Sequence, residues 1–175
     1  MSDAAKKTAA TPGLGTTLAS IVNGCFGDYL SQRDNGLAID MAFYRNNRPL
    51  PLTPETLREA FPAPTSKLCV LVHGLCCHEG AWDYPDNPAR SYGSALQDDL
   101  GYTPFFLRYN TGLHTSQNGQ ALAAQLEQLL DHWPVPVQEL SILAHSMGGL
   151  VTRSALHFAT QQSLHWPAHL KNIVF

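Results

Sequence analysis

The chain has 175 residues, 44% of them hydrophobic, enough to bury a core and to exclude disorder, collagen and a disulfide-stapled mini-protein. Lys and Arg number 11 against 14 Asp and Glu, a formal charge of −3, and no basic run exceeds the pair Lys6-Lys7, so nucleic acid is disfavoured as the main partner. Charged residues make up only 14%, against roughly 25% in ordinary soluble domains, which suggests surface that is polar but uncharged or that something else covers.

Met1 to Gly15 mixes Ala, Lys, Thr, Pro and Gly without periodicity and reads as a flexible leader, leaving residues 16–175 for one domain. It carries no apolar h-region, and no later stretch approaches the ~18 apolar residues of a transmembrane helix, so the expected compartment is the cytoplasm. Leu18, Ile21, Val22 and Cys25 fall at helical spacing, weakened by Gly24 and Gly27. Ile39, Met41 and Phe43 then alternate with Asp40, Ala42 and Tyr44, as in a half-buried strand. Thr53 followed by Pro54 starts a short helix that ends near Phe61.

Beyond Phe61 the pattern changes. Leu68 to Val72, Phe105 to Leu107, Leu140 to Ala144 and Ile173 to Phe175 are continuous apolar runs, the mark of strands covered on both faces. Between them lie helical segments at Ser91 to Leu100, Gln120 to Trp133 and Gly148 to Ala159. Strand alternating with helix predicts an α/β fold with a mostly parallel, doubly wound sheet.

The chemistry centres on Ala144-His145-Ser146-Met147-Gly148-Gly149, between an apolar strand and a helix. A serine at the apex of a strained strand-to-helix turn needs very small residues two before and two after it, and Ala144 and Gly148 stand there. Such a turn presents its hydroxyl beside a helix N-terminus, whose amides favour developing negative charge. His73-Gly74, directly after the strand Leu68 to Val72, is a second turn at a neighbouring strand end. A tetrahedral oxyanion requires two preorganised donors, and the candidates are the Met147 amide and the Leu75 or Cys76 amide. His145 adjoins the nucleophile too closely to serve as its base and reads as a packing or specificity residue.

With this pair of turns the chain resembles the α/β-hydrolase superfamily in its lipase and esterase branch, over roughly Ser20 to Phe175. Ala144 replaces the first glycine of the family's G-x-S-x-G elbow. Arg108-Tyr109-Asn110-Thr111-Gly112 is also similar to a segment of bacterial hydrolases related to the inositol-deacylase group. The resemblance implies a Ser, Asp or Glu, His order, yet no Asp or Glu follows Ser146. His157, His165 and His169 do follow it, but none stands where the family carries its base. The chain is therefore expected to be the N-terminal part of a longer hydrolase or a truncated product of one, near-inactive alone, with acid and base beyond Phe175. An open sheet edge at that strand predicts self-association.

The implied activity is hydrolysis of a small or lipid-like carboxylic ester through an acyl-Ser146 intermediate. Its rivals are an inactive hydrolase-like binding module and an acyltransferase using the same serine. No cofactor or metal is expected: in His78-Glu79 the fifth position of H-E-x-x-H is Trp82, and Pro167 interrupts His165 and His169. Gly13-Leu14-Gly15 lacks both the third glycine and the preceding strand of a dinucleotide fingerprint. The cysteines Cys25, Cys69, Cys76 and Cys77 lack framework spacing, and Cys76 and Cys77 read as inert thiols near the oxyanion turn.

Overall fold

A computed structural model describes residues 15, 17–21, 24 and 39–175. The leader expected over 1–15 lies outside them, apart from Gly15, and so do Val22 and Cys25. Residues 17–21 are helical, but the expected apolar face is turned outward: Leu18 and Ile21 are exposed and Ser20 is buried. Gly24, one helical turn after Ser20, lies so close to Cys76 that a Cβ on it would come within 2.3 Å of the Cys76 sulfur. Small residues allow this close approach, which outweighs the apolar spacing.

Strands β1 (Ala42–Arg45) and β2 (Arg48–Pro49) form a hairpin. Its turn residues Asn46 and Asn47 have φ of 52° and 58°, the left-handed conformation that asparagine tolerates well. The predicted alternation at Ile39, Met41 and Phe43 falls at the start of this hairpin, and Phe43 is fully buried. Helix α1 (Pro54–Ala60) begins at Thr53, whose hydroxyl accepts the Thr56 amide, as the Thr-Pro pair predicts. Then come β3 (Lys67–Val72), a two-stranded ribbon of β4 (Asp83–Tyr84) and β5 (Asn87–Ser91), α2 (Tyr92–Leu100) and β6 (Thr103–Arg108). The chain continues through α3 (Thr115–His132), β7 (Glu139–Ala144), α4 (Met147–Gln161) and β8 (Leu170–Val174).

The main sheet runs β2-β1-β6-β3-β7-β8, with β6, β3, β7 and β8 parallel and β1 antiparallel to β6. Leu68, Val70 and Val72 of β3 point to one face, where Leu57 of α1, Leu122 and Leu126 of α3 and Val151 and Ala155 of α4 cover them. Cys69 and Leu71 point to the other, against Trp82, Tyr102 and Leu96 of α2. Helices on both faces explain why Leu68 to Val72 of β3 are apolar without alternating. Among the described residues β8 is an outer strand, paired only with β7, and no helix is long and apolar enough to cross a membrane.

Helix α3 starts at Thr115, five residues before the predicted Gln120, because Ser116 to Gly119 is too polar and small to look like helix. Those residues lie inside it for tertiary reasons. The buried Asn118 amide group donates to the Asn110 carbonyl at 2.9 Å. A Cβ at Gly119 would come within 2.3 Å of the Ser154 hydroxyl, so glycine allows α3 and α4 to cross closely.

Candidate active site

Parallel strands put the C-terminal ends of β3, β6 and β7 side by side, and the loops leaving them converge there. At the end of β7 the chain turns through Ser146, which has φ 54° and ψ −121°. A non-glycine residue so placed costs on the order of 1–3 kcal/mol and persists only where its surroundings fix it. Three features hold it here. The His145 amide donates to the Val72 carbonyl at 3.0 Å, and Gly148 and Gly149 donate to His145 and Ser146 carbonyls at 2.9 Å. The buried Ala144 pairs with Val72 across the sheet. Finally, a Cβ on Gly148 would lie 2.4 Å from the Val72 carbonyl oxygen and 2.7 Å from that of His73, both backbone atoms that cannot swing away.

Ser146 occupies the N-cap position of α4, yet its hydroxyl makes no capping hydrogen bond and the residue is exposed. An ordinary N-cap serine would bond the first-turn amides. The Met147 amide heads the helix, where no intrahelical acceptor exists for it. Gly149 lies against the ring of Phe175, 2.7 Å from where its Cβ would stand.

The second turn meets the elbow at Gly74. A Cβ there would come within 3.1 Å of His145 Nδ1 and 3.2 Å of Ser146 Cβ, so a side chain would push the two loops apart. Gly74 to Cys77 is closed by the Cys77 amide donating to the Gly74 carbonyl at 3.3 Å, and Cys76 has φ 58°. The Cys76 amide donates to Thr111 Oγ1 at 3.1 Å. Of the two amides expected from sequence as the second donor, Cys76 is thus engaged, which leaves the Leu75 amide as the candidate.

His73 is fully buried, with Nδ1–H donating to the Gly74 carbonyl at 2.9 Å and Nε2 without a partner among the described residues. Burial pulls its pKa down to about 4, although the Gly74 bond and the Glu79 charge act the other way. Its ring stacks on Tyr109 with centroids 4.5 Å apart, and the Tyr109 hydroxyl donates to the His73 carbonyl at 2.7 Å. Burial raises the Tyr109 pKa, which keeps that donor protonated.

Sequence reasoning assigned no part to Arg108 through Gly112, and the structure assigns one to nearly every residue. Arg108 forms a two-pronged ion pair with Glu79, donates to Asn47 at 2.8 Å and lies 3.8 Å over the Tyr44 ring. Tyr109 and Thr111 grip the Gly74 turn. Asn110 Oδ1 accepts the Gly112 amide at 3.0 Å, shaping the loop. The sequence hinted at it only through the likeness of the segment to bacterial hydrolases and its place as a polar, turn-rich stretch directly after an apolar strand.

The histidine–carboxylate pair His165–Glu127, at 2.8 Å, precedes β8 and so lies at the opposite end of the strands from Ser146. Burial by itself would raise the Glu127 carboxyl, but hydrogen bonds from the His165 and Trp166 amides and the His165 ring outweigh it and hold the pKa low. Among the described residues no group of three or more His, Cys, Asp or Glu is placed to hold a metal ion. A cavity of about 520 Å³, with Tyr44, Phe61, Asp83 and Phe106 in its walls, includes none of the elbow residues.

No curated protein and no solved structure matches the chain. Residues 63–175, more than half of it, match the family described as "Putative serine esterase (DUF676)". That span runs from just before β3 to the end of the chain and takes in both turns, and the chain belongs to this serine esterase family of the α/β-hydrolase superfamily.

Proposed function

We propose that the protein hydrolyses carboxylic esters, small or lipid-like, through an acyl-enzyme on Ser146. The observation that carries this reading is the strained, exposed serine whose hydroxyl caps nothing although it sits at a helix start. A serine needed only to begin a helix would adopt extended backbone and bond the first-turn amides.

In this mechanism Ser146 Oγ attacks the ester carbonyl carbon, the carbonyl π electrons move to oxygen, and a histidine base takes the serine proton. The Met147 and Leu75 amides hold the oxyanion, each worth about 2.7–4 kcal/mol of barrier. Collapse expels the alcohol, protonated by the histidine, and water repeats the sequence to release the acid. His73 is not that base: its ring is fully buried and stacked on Tyr109, and its Nε2 meets no hydrogen-bond partner among the described residues, Ser146 included. Neither is His165, at the far end of the strands.

The test is hydrolysis of p-nitrophenyl esters of increasing acyl length by the natural protein, with and without an added primary alcohol. Release of free acid that disappears in Ser146→Ala is the expected result. Acyl transfer to the alcohol in preference to water would make the protein an acyltransferase, and turnover that survives Ser146→Ala would overturn the assignment.

A further inference from the structure

A large apolar side chain exposed singly needs no explanation, but several gathered beside one site do. Leu18 and Ile21 are 62% and 45% exposed on the helical residues 17–21, and Leu75 is 51% exposed in the Gly74–Cys77 turn. The same helix turns its small residues inward. Ser20 is buried, and Gly24 lies on Cys76, where a Cβ would stand 2.3 Å from the sulfur. At the other end Thr17 Oγ1 lies 3.2 Å from His78 Nε2. His78 Nδ1 accepts the Gly80 amide, so Nε2 carries the proton of the neutral ring and donates to Thr17.

The helix is thus fastened to Cys76 and His78, directly after the turn whose first residue, Gly74, would put a Cβ 3.2 Å from Ser146 Cβ. A helix that serves the core turns its large apolar residues inward, and this one does the reverse. The surrounding sequence says what those residues face. Between Thr8 and Gly27 there is no Asp, Glu, Lys, Arg or His, although an ordinary soluble stretch of that length would carry about five charges. Protein partners are selected across an interface by charges and a polar rim, which this surface lacks. An apolar, uncharged surface suits a medium with no charges or hydrogen bonds to offer, the acyl phase of a lipid.

We propose that Leu18 and Ile21, with Leu75 in the adjoining turn, form a docking surface that seats the protein on aggregated lipid ester. The proposal rests on the esterase reading for the identity of the substrate, while attachment to a lipid surface is read without turnover. Contact through these residues involves no charge, so salt does not weaken it. Docking raises the amount of ester at the mouth of the site and leaves the chemistry at Ser146 alone. It therefore governs turnover of an emulsified ester and has no effect on a dissolved one.

The experiment measures sedimentation of the natural protein with phosphatidylcholine vesicles at low and high salt. Alongside, it reads hydrolysis of a dissolved short-chain p-nitrophenyl ester and of an emulsified long-chain one. Leu18→Gln/Ile21→Gln removes the apolar ends and keeps good helix formers; Tyr92→Gln/Leu100→Gln, comparably exposed on α2, is the control. Wild type and control should bind vesicles equally at both salt concentrations. Leu18→Gln/Ile21→Gln should partition about 10- to 100-fold less and lose turnover of the emulsified ester in proportion, with hydrolysis of the dissolved ester unchanged. Leu18→Trp keeps an apolar side chain, so it should bind and shift its emission to the blue as the indole leaves water, a readout that stands even if the double variant fails to fold. Wild-type protein that stays in solution, binding abolished by salt, wild-type partitioning of a folded Leu18→Gln/Ile21→Gln or an unshifted Leu18→Trp would overturn the docking surface. So would a wild-type dimer that the glutamines split, since the occupant would then be a second copy. A protein that binds vesicles but hydrolyses neither ester defeats the esterase reading alone.

Discussion

The two turns that meet at Ser146 are built by opposite strategies. The elbow is held from within: Ala144, Gly148 and Gly149 are its own neighbours, and its hydrogen bonds run to adjacent residues or to the next strand. The Gly74 turn is held from outside, by Tyr109 on the His73 carbonyl and Thr111 on the Cys76 amide. Strain at Ser146 is opposed by close packing of backbone, whereas Cys76 is held by contacts from distant segments, among them the Thr111 hydroxyl on its amide and the close approach of Gly24. Ser146 should accordingly be rigid and intolerant of any added atom, and the Gly74 turn adjustable from a distance.

That contrast can be broken at either end. The largest effect belongs to Ser146→Ala, which should abolish covalent labelling and ester hydrolysis while leaving the melting temperature near wild type, since the hydroxyl makes no capping hydrogen bond and the backbone strain is unchanged. Next comes Gly148→Ala. Its Cβ would meet two carbonyl oxygens of β3 and the His73 turn at 2.4 and 2.7 Å, so about 1–3 kcal/mol of stability should be lost in denaturant titration, along with the labelling. Gly74→Ala meets neighbours only at 3.1–3.3 Å, and a smaller stability loss with a marked fall in labelling rate is expected from it. If the two glycine variants cost the same stability, the proposed difference between packed elbow and held turn fails.

Tyr109→Phe removes one hydroxyl from the His73 carbonyl and should cost about 0.5–1.5 kcal/mol. Its effect on labelling should be small, because stacking on His73 survives. The smallest effect is on pH dependence. His73 has its pKa depressed to about 4 by burial, against an ordinary 6.5, so the unfolded chain binds the proton first. Its contribution is fully present above pH 6.5 and is lost as pH falls toward 4. Melting temperatures of His73→Asn over that window should decline less steeply than those of wild type; parallel curves would mean that His73 does not titrate as its burial implies.

The same division explains what the sequence made legible. The elbow could be read because its requirements are local: a small residue two positions either side of the serine, an apolar strand before and a helix after. The parallel sheet was legible because the apolar runs in β3, β6 and β7 need covering on both faces, whereas the run at Ile173 to Phe175 ends exposed on the outer strand β8, with Val174 and Phe175 more than half exposed. Long-range reasons hid the rest. Nothing near Thr111 announces that its hydroxyl meets Cys76, 35 residues earlier, and nothing near Asn118 announces that a polar run is helix because its amide caps another loop. Leu18 and Ile21 promised a buried face, but Ser20 and Gly24 fit closer to the body of the protein. The Asn46-Asn47 hairpin was missed although its turn chemistry was in plain view.

The central claim is that Ser146 is a nucleophile presented by its own turn and served by a neighbour that other residues hold. Intact mass of the natural protein before and after a fluorophosphonate, with peptide mapping and Ser146→Ala alongside, tests it most directly. One adduct, mapped to the peptide containing Ser146 and lost in the variant, is the outcome this account predicts. An unlabelled wild-type protein, or an adduct that persists in Ser146→Ala, would contradict it.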